Sequence, residues 1–312
     1  MIDISTMLKY EFIDVDLQIT SADFKVIESF LKITDRTQIG WHYITDITWI
    51  YSHIKDWPRD FKVLDAGGGG GPVQFLMAEL GFDVTNIDLN LDKPGLAYQN
   101  RYQCTYEVLP SFKNTKYGTF LSGTDGKKQF LKALIKIIKQ SVPYKWWSAR
   151  RYAIKHEQWR KIIKLSSSKI GHIKWLKGNL CHIPEVSDNT FDAVVSLSAL
   201  EHIHFGNLKN AVEEIKRVVK PDARWAVTTS GTEKAETWFH EPSQSNCFSS
   251  RDLERIFGAN PNGEQNPQEI LKKYQNNSYL KENLAKFYFK SDRYGMPWGK
   301  WNPKYIPVGI FK

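Results

Sequence analysis

The chain has 312 residues, which is enough for one well-buried α/β domain with an elaboration. We expect a cytoplasmic protein, because Met1 is not followed by a charged leader with an apolar core and no apolar stretch approaches the length of a membrane span. Cys104, Cys181 and Cys247 lie far apart and form no C-x-x-C pair, so the sequence predicts neither a metal site nor a disulfide framework.

The net charge of +9 is concentrated in one part of the chain. Between Lys127 and Lys177 there are 15 Lys or Arg and a single acid, Glu157. The rest of the chain has 28 bases and 33 acids. A slightly acidic body with one basic segment is therefore expected.

Residues 1–60 are predicted to be mainly helical. Thr20 or Ser21 can cap a first helix, and a second is expected from about His42 to Ile54.

The pattern over residues 61–90 is strand, glycine turn, helix, strand. A short apolar strand ends in five consecutive glycines, from Gly67 to Gly71, and Pro72 then begins a helix that stops at Gly81. Glycine exposes the backbone amides to a bound molecule, and Asp88 ends the second strand where a ribose would bind. The sequence predicts a βαβ nucleotide-binding unit.

The spacing of the glycines indicates which ligand this unit holds. The dinucleotide pattern G-x-G-x-x-G fails in every frame, whereas Asp65, Gly67, Gly69 and Gly71 satisfy D-x-G-x-G-x-G. With VLD before it and Asp88 after it, the stretch resembles motif I of class I S-adenosylmethionine-dependent methyltransferases. A nicotinamide or flavin enzyme stays open as an alternative, and a flexible glycine linker explains neither the strand nor Asp88.

Residues 91–172 form a long insertion in that fold. Residues 127–139 predict a basic amphipathic helix. Aromatic residues then interleave with basic ones, the aromatic set being Trp146, Trp147, Tyr152 and Trp159 and the basic set Arg150, Arg151, Lys155 and Arg160. Four roles are compatible with this pattern: a helical cap, a pocket wall for an anionic substrate, an RNA-binding arm, or attachment to an anionic membrane surface.

The resemblance resumes at Ile173 and implies the fold. The stretch from Gly178 to Ile203 matches the family's adenine turn and fourth strand, although Asn179 replaces a frequent Asp. The family implies an α/β, Rossmann-like, seven-stranded and mostly parallel sheet with helices on both faces, built from residues 61–90 and 173–312. It also implies that the N-terminal helices of residues 1–60, together with the helical insertion, form a cap over the donor pocket. We expect a mobile loop over residues 260–279 and a final antiparallel strand pair at residues 285–289 and 306–310.

The resemblance also implies the ligand contacts. S-adenosylmethionine is the expected cofactor and S-adenosylhomocysteine the product. The donor site is carried over to Asp65, Gly67, Gly69, Gly71, Asp88, Leu89, Asn179, Leu180 and Ser196. The acceptor is expected to contact His42, Tyr43, Trp238 and Glu241.

A hydroxyl acceptor needs its proton removed as the new bond forms, and histidine suits that role. The candidate bases are His202, His204 and His240, with Glu201 as an orienting group. We therefore predict methylation of a small molecule at a hydroxyl or an amine, with oxygen favoured over nitrogen. The turn from Trp238 to Ser250 resembles bacterial methyltransferases of glycan and natural-product pathways, which favours a sugar-containing or natural-product acceptor.

Two rival functions stay open at this point. An RNA methyltransferase would use the basic insertion as its binding arm, with an affinity that falls steeply with salt. A non-catalytic protein would bind the donor without turnover.

Overall fold

The computed structural model describes residues 7–113, 142–165, 168–292 and 294–312. One mixed sheet of nine strands organises this part of the chain, in the order β10-β1-β11-β7-β6-β2-β3-β5-β4. The strands are β1 Leu8–Phe12, β2 Lys62–Ala66, β3 Asp83–Asp88, β4 Thr105–Val108, β5 Ile173–Lys177, β6 Phe191–Ser196, β7 Val219–Gly231, β10 Ala259–Pro261 and β11 Ile306–Phe311. A separate hairpin pairs β8 Trp238–His240 with β9 Ser245–Cys247.

The helices cover both faces of the sheet, as the α/β prediction requires. They are α1 Val15–Thr20, α2 Ala22–Ile33, α3 Tyr43–Ile54, α4 Val73–Leu80, α5 Leu96–Tyr102, α6 Pro110–Lys113, α7 Val142–Ile162, α8 Phe205–Val218, α9 Ser250–Asp252, α10 Pro267–Asn276 and α11 Ser278–Glu282. A π-helical turn, Leu253–Phe257, continues α9. The predicted basic helix over residues 127–139 lies outside the described residues.

The central βαβ unit confirms the sequence prediction. Strand β2 pairs in parallel with both β3 and β6, and every residue of α4 is buried between sheet and helices. Gly81 ends α4 in the left-handed conformation, with φ of 103°, which a residue with a Cβ adopts at a cost. The turn between β2 and α4 therefore lies at the carboxyl edge of the sheet, where open α/β folds bind ligands.

The sheet has nine strands rather than the seven predicted. The helical prediction for residues 1–60 missed β1, which lies between β10 and β11. Strand β4, in the predicted insertion, extends the opposite edge by pairing with β5. Both are short edge or near-edge strands, whose pairing depends on partners distant in sequence.

Two C-terminal predictions were wrong. Residues 285–289 do not form a strand but lie in a 3₁₀ helix, Lys286–Lys290, in which Tyr288 is buried while Phe289 points outward. The predicted loop over residues 260–279 contains the edge strand β10 and the helix α10, whose first turn is capped by Asn266. Ile270, Leu271 and Tyr274 bury one face of α10, so packing stabilises a helix whose polar composition had suggested a loop.

A buried charge network attaches α7 to the βαβ unit. The Glu79 carboxylate on α4 accepts from Arg101 at 2.5 Å and lies 3.5 Å from Arg160. Arg160 also donates to the backbone carbonyls of Glu79, Leu165 and Ser168. A buried carboxylate needs such partners, so this network fixes where the insertion leaves and rejoins the sheet.

In the part of the chain that the structure covers, no helix is both long enough and apolar enough to cross a membrane.

Candidate functional site

The turn after β2 brings the bare backbone against a carboxyl group. Gly67 and Gly69 have φ of 76° and 49°, in the left-handed region that favours glycine. A Cβ on Gly68 would lie 1.9 Å from a carboxylate oxygen of Asp65. Glycine is thus required here by backbone conformation at two positions and by close approach at a third.

The Asp65 side chain under this turn lacks a partner. It is 1% exposed, and neither carboxylate oxygen has a hydrogen-bond partner. Burial, with a smaller contribution from Asp88, raises the pKa of Asp65 to about 8. A buried carboxyl group of this kind calls for a positively charged or hydrogen-bond-donating ligand group.

Asp88 lies across the turn at the end of β3. Its carboxylate accepts from the backbone N–H of Gly69 at 3.1 Å and of Asn90 at 2.6 Å. Burial raises its pKa, and these two hydrogen bonds act in the opposite direction. The Gly69 carbonyl is held by the side-chain amides of Gln74 and Asn86, each at 2.9 Å, so the turn is fixed before any ligand binds.

A cavity of about 1020 Å³ opens from this turn. It is bordered by the N-terminal segment, the loops after β2, β3, β5 and β6, and the segment after α11. The residues predicted from sequence that line it are His42, Tyr43, Asp65, Gly67, Gly71, Asp88, Leu89, Asn179, Leu180, Glu201, His202 and His204. Residues predicted from five separate parts of the sequence therefore line one cavity.

A buried histidine and carboxylate pair lies in the cavity wall. His42 Nδ1 is 2.9 Å from Asp46 Oδ2, one turn along α3, and both residues are buried. The Ser198 hydroxyl donates to the same Asp46 oxygen at 2.8 Å. Hydrogen bonding of Nδ1 to a carboxylate fixes the tautomer in which Nε2 can accept a proton, and the described residues offer Nε2 no hydrogen bond.

Residues 55–260 match a sequence family described as a methyltransferase domain. This match spans about two thirds of the chain. The chain belongs to that family. It is a class I methyltransferase, and its methyl donor is S-adenosylmethionine.

No curated protein matches the methyltransferase in sequence. Among solved structures, it is similar to the 1,6-didemethyltoxoflavin N1-methyltransferase of Burkholderia thailandensis (13% identity, 93% of this chain, 85% of that chain, TM-score 0.43). It is similar to the [4+2]-cyclase SpnF (15% identity, 88% of this chain, 83% of that chain, TM-score 0.47). It is also similar to the geranyl diphosphate C-methyltransferase of Streptomyces coelicolor (13% identity, 85% of this chain, 73% of that chain, TM-score 0.41). None of these similarities bears on the acceptor of this methyltransferase.

The site of the methyltransferase fits its donor on three structural observations. A side chain is disfavoured at Gly67 and Gly69 by backbone conformation and at Gly68 by close approach to Asp65. Asp65 has two unpartnered oxygens for a cationic group, and Asp88 is fixed at the end of β3. Arg36 lies beside the same turn, bonded to the Gly70 carbonyl at 3.3 Å and positioned 4.3 Å from the Phe75 ring centre. Sequence reasoning missed Arg36, because a single arginine between two helices carries no motif.

Several predicted residues lie differently from the expectation. The Ser196 hydroxyl donates to the Ala66 carbonyl at 2.7 Å within the sheet, and Ser198, with φ of 43°, lines the cavity instead. The Asn179 amide oxygen accepts from the backbone N–H of Cys181 at 3.0 Å, so it closes its own turn. Ser196 is the last residue of β6, whereas Ser198, two positions later, lies in the following loop. The spacing of residues in the sequence does not show where the strand ends, so it does not distinguish the two serines.

The three candidate histidines occupy different environments. His202 and His204 are exposed at the cavity, where His202 lies 2.9 Å from the Gln244 carbonyl and His204 caps α8. His240 is buried behind Ser243, at 2.7 Å, and is not among the lining residues. Burial and nearby Lys304 lower the pKa of His240.

The Glu201 carboxyl lies in the cavity wall and is almost fully buried. It accepts from Thr229 at 3.1 Å and from Ser230 at 3.3 Å, and burial raises its pKa. Tyr43 lines the same cavity, and its pKa is raised by burial and then by Glu201 and Asp46. The Glu201 carboxyl group is therefore held in the cavity wall by its hydrogen bonds to two residues of β7.

Trp238 and Glu241, predicted to contact the acceptor, do not line the cavity. The Trp238 indole donates to Thr232 at 3.0 Å, and the Glu241 carboxylate accepts from Gln244 at 3.0 Å. Their turn reaches the cavity through Ser243 and Ser245 instead. Among the described residues, no group of three or more His, Cys, Asp or Glu is arranged to hold a metal ion.

Proposed function

We propose that this methyltransferase transfers a methyl group to a hydroxyl of a small molecule, with His42 as the base. The observation that carries the proposal is the buried pair of His42 and Asp46 in the wall of the donor cavity. When bound, S-adenosylmethionine supplies an electrophilic methyl group on a sulfonium centre. What the protein adds is the alignment of the acceptor and the removal of its proton.

We assign the donor to residues around the glycine turn. Asp65 would hold the cationic amino group, the backbone of Gly67, Gly69 and Gly71 would lie along the donor, and Asp88 would accept from the ribose hydroxyls. Leu89, Asn179 and Leu180 would surround adenine. Burial of the Asp65 carboxyl without a partner supports its place in this arrangement.

In the proposed acceptor step, His42 Nε2 takes the hydroxyl proton as the oxygen attacks. Asp46 keeps Nδ1 protonated and stabilises the imidazolium that forms. Asp46 is itself held by Ser198 and lies in the first turn of α3, where the positive end of the helix dipole favours an anion. The pair is therefore organised before the acceptor binds.

The charge of the cavity favours a neutral acceptor. The described residues that line it include four acids, Asp35, Asp65, Asp88 and Glu201, but among Lys and Arg only Arg36. An anionic acceptor, considered from the basic insertion, would therefore find a single Lys or Arg side chain among these residues with which to pair. Ser243 and Ser245, from the turn resembling glycan and natural-product enzymes, offer hydroxyls to a sugar-containing or natural-product acceptor.

The test has two parts, donor binding and product structure. Calorimetry with S-adenosylmethionine measures donor binding. To find the product, the protein is incubated with donor carrying a labelled methyl group and with pools of neutral hydroxyl compounds. We expect a methyl ether product that disappears in His42→Gln although donor affinity is retained. A product methylated only at nitrogen, or only on RNA, contradicts the proposal.

A further inference from the structure

An aromatic and basic surface lies beside the cavity on residues 286–304, which we call the rim segment. Tyr288 and Met296 point inward and are buried, whereas three other aromatic side chains are exposed: Phe289 by 56%, Tyr294 by 52% and Trp298 by 60%. Large aromatic side chains seldom stay this exposed in such a short stretch without a binding role.

The backbone holds two of these side chains outward at a conformational cost. Tyr294 and Trp298 have φ of 70° and 55°, in the left-handed region that non-glycine residues rarely adopt. Hydrogen bonds fix both positions, from Tyr294 N–H to the Pro242 carbonyl at 2.7 Å and from Trp298 N–H to the Ser291 carbonyl at 2.9 Å. The fold therefore fixes the backbone at both positions. The Trp298 ring is exposed, whereas the half-exposed Tyr294 ring packs against Phe287 at the cavity.

Phe289 is held outward by a different feature. Its ring packs directly on Gly299, where a Cβ would lie 2.3 Å from a ring carbon. The glycine thus supports one side of the ring while the other side faces solvent.

Exposed lysines lie in the same segment as these rings. Lys286, Lys290, Lys300 and Lys304 are all exposed, and none of them forms an ion pair with another residue in the described ranges. A segment that exposes both aromatic rings and lysines matches the interfacial layer of an anionic bilayer, where rings enter the headgroup region and lysines meet phosphates. A soluble anion would account for the lysines but not for the rings.

We propose that the rim segment docks on the surface of an anionic phospholipid bilayer. Phe287 and Tyr294, from the same segment, line the cavity, so docking places the cavity opening beside the headgroups. The proposal uses no residue of the basic insertion, and it does not depend on which atom the enzyme methylates.

Vesicle flotation tests the docking with the full chain and no substrate. We expect binding to vesicles of phosphatidylcholine mixed with phosphatidylglycerol and none to phosphatidylcholine alone. Lys286→Gln with Lys290→Gln should weaken binding by roughly fivefold for each lysine, the factor that corresponds to about 1 kcal/mol. Trp298→Ala should weaken it by about tenfold because the indole no longer enters the interface.

Matched controls separate this surface from the rest of the chain. Ile154→Ala removes a half-exposed apolar side chain from α7, and Lys161→Gln with Lys164→Gln removes two charges from the basic insertion. Both controls should bind vesicles like the wild type, and unchanged thermal unfolding would show that every variant is folded.

Three outcomes overturn the proposal. They are absence of binding to the anionic vesicles, loss of binding only in the insertion control, and a concentration-dependent dimer in sedimentation velocity that Trp298→Ala abolishes. The last would assign the surface to a second copy of the chain.

Discussion

His42 Nδ1 lies 2.9 Å from Asp46 Oδ2, and the two residues are separated by one turn of α3. The same carboxylate oxygen accepts from the Ser198 hydroxyl, which comes from the loop after β6. The pair is thus supported from two elements, and it lies in the wall of the donor cavity. This arrangement distinguishes His42 from the other histidines at or near the cavity.

Replacing His42 by Gln should lower kcat by about 10²–10⁴-fold, the usual contribution of a general base. Donor affinity should change little, because the imidazole is assigned to the acceptor. Asp46→Asn, which keeps the size of the side chain, should lower kcat by a smaller factor, because an amide stabilises the imidazolium less than a carboxylate does. Steady-state kinetics across pH measures both effects.

His240→Gln is the matched control for that experiment. The His240 ring is bonded to Ser243 and lies behind the cavity lining, so kcat should fall by at most a few fold. If His240→Gln is the inactive variant and His42→Gln keeps its rate, the base has been assigned to the wrong residue.

Asp88→Ala should weaken donor binding by tenfold or more, a loss of about 1.5 kcal/mol, as for hydrogen bonds to a charged group. The substitution also frees the backbone N–H groups of Gly69 and Asn90, which Asp88 now accepts from. Calorimetric titration with S-adenosylhomocysteine measures the loss without turnover. An unchanged affinity would remove Asp88 from the donor site.

Donor binding should depend on the ionisation of Asp65. In the free enzyme burial raises its pKa to about 8, so at neutral pH the carboxyl group is mostly protonated, and binding of a cation favours its ionised form. Raising the pH therefore strengthens binding, by roughly twentyfold between about pH 6 and pH 7.5 if Asp65 is ionised in the complex.

Asp65→Asn provides the comparison, because the amide is almost the same size and does not titrate. Its donor affinity should be lower than that of the wild type at pH 7.5 and nearly independent of pH over the same interval. A wild-type affinity that is equally flat would show that Asp65 does not contact the cationic part of the donor.

Two glycines of the same turn, Gly68 and Gly70, should respond differently to alanine. A Cβ on Gly68 meets the Asp65 carboxylate at 1.9 Å, whereas a Cβ on Gly70 has no atom within 4 Å. Gly68→Ala should therefore displace the turn and weaken donor binding by at least tenfold, an order-of-magnitude expectation for steric overlap with an essential group. Gly70→Ala should have a much smaller effect. Equal affinities of the two variants would contradict the steric account of this turn.

The sequence by itself determined the parts of the site that are local in the chain. A buried strand, a glycine run and a carboxylate at the end of the next strand are encoded within 30 consecutive residues. Their geometry follows from the βαβ connection, in which backbone conformation and short loops leave few alternatives. The α/β class and the donor motif could therefore be predicted from the sequence.

The tertiary structure decided the parts that depend on distant contacts. The residues His42 and Asp46 have helical spacing, but only packing of α3 beside the loop after β6 places them at the cavity with Ser198. Likewise, the aromatic alternation at residues 285–289 suggests a strand, yet burial of Tyr288 and its bond from Trp41 N–H favour a 3₁₀ helix. Sequence patterns describe neighbours along the chain, whereas burial of these groups depends on residues brought from 150 or more positions away.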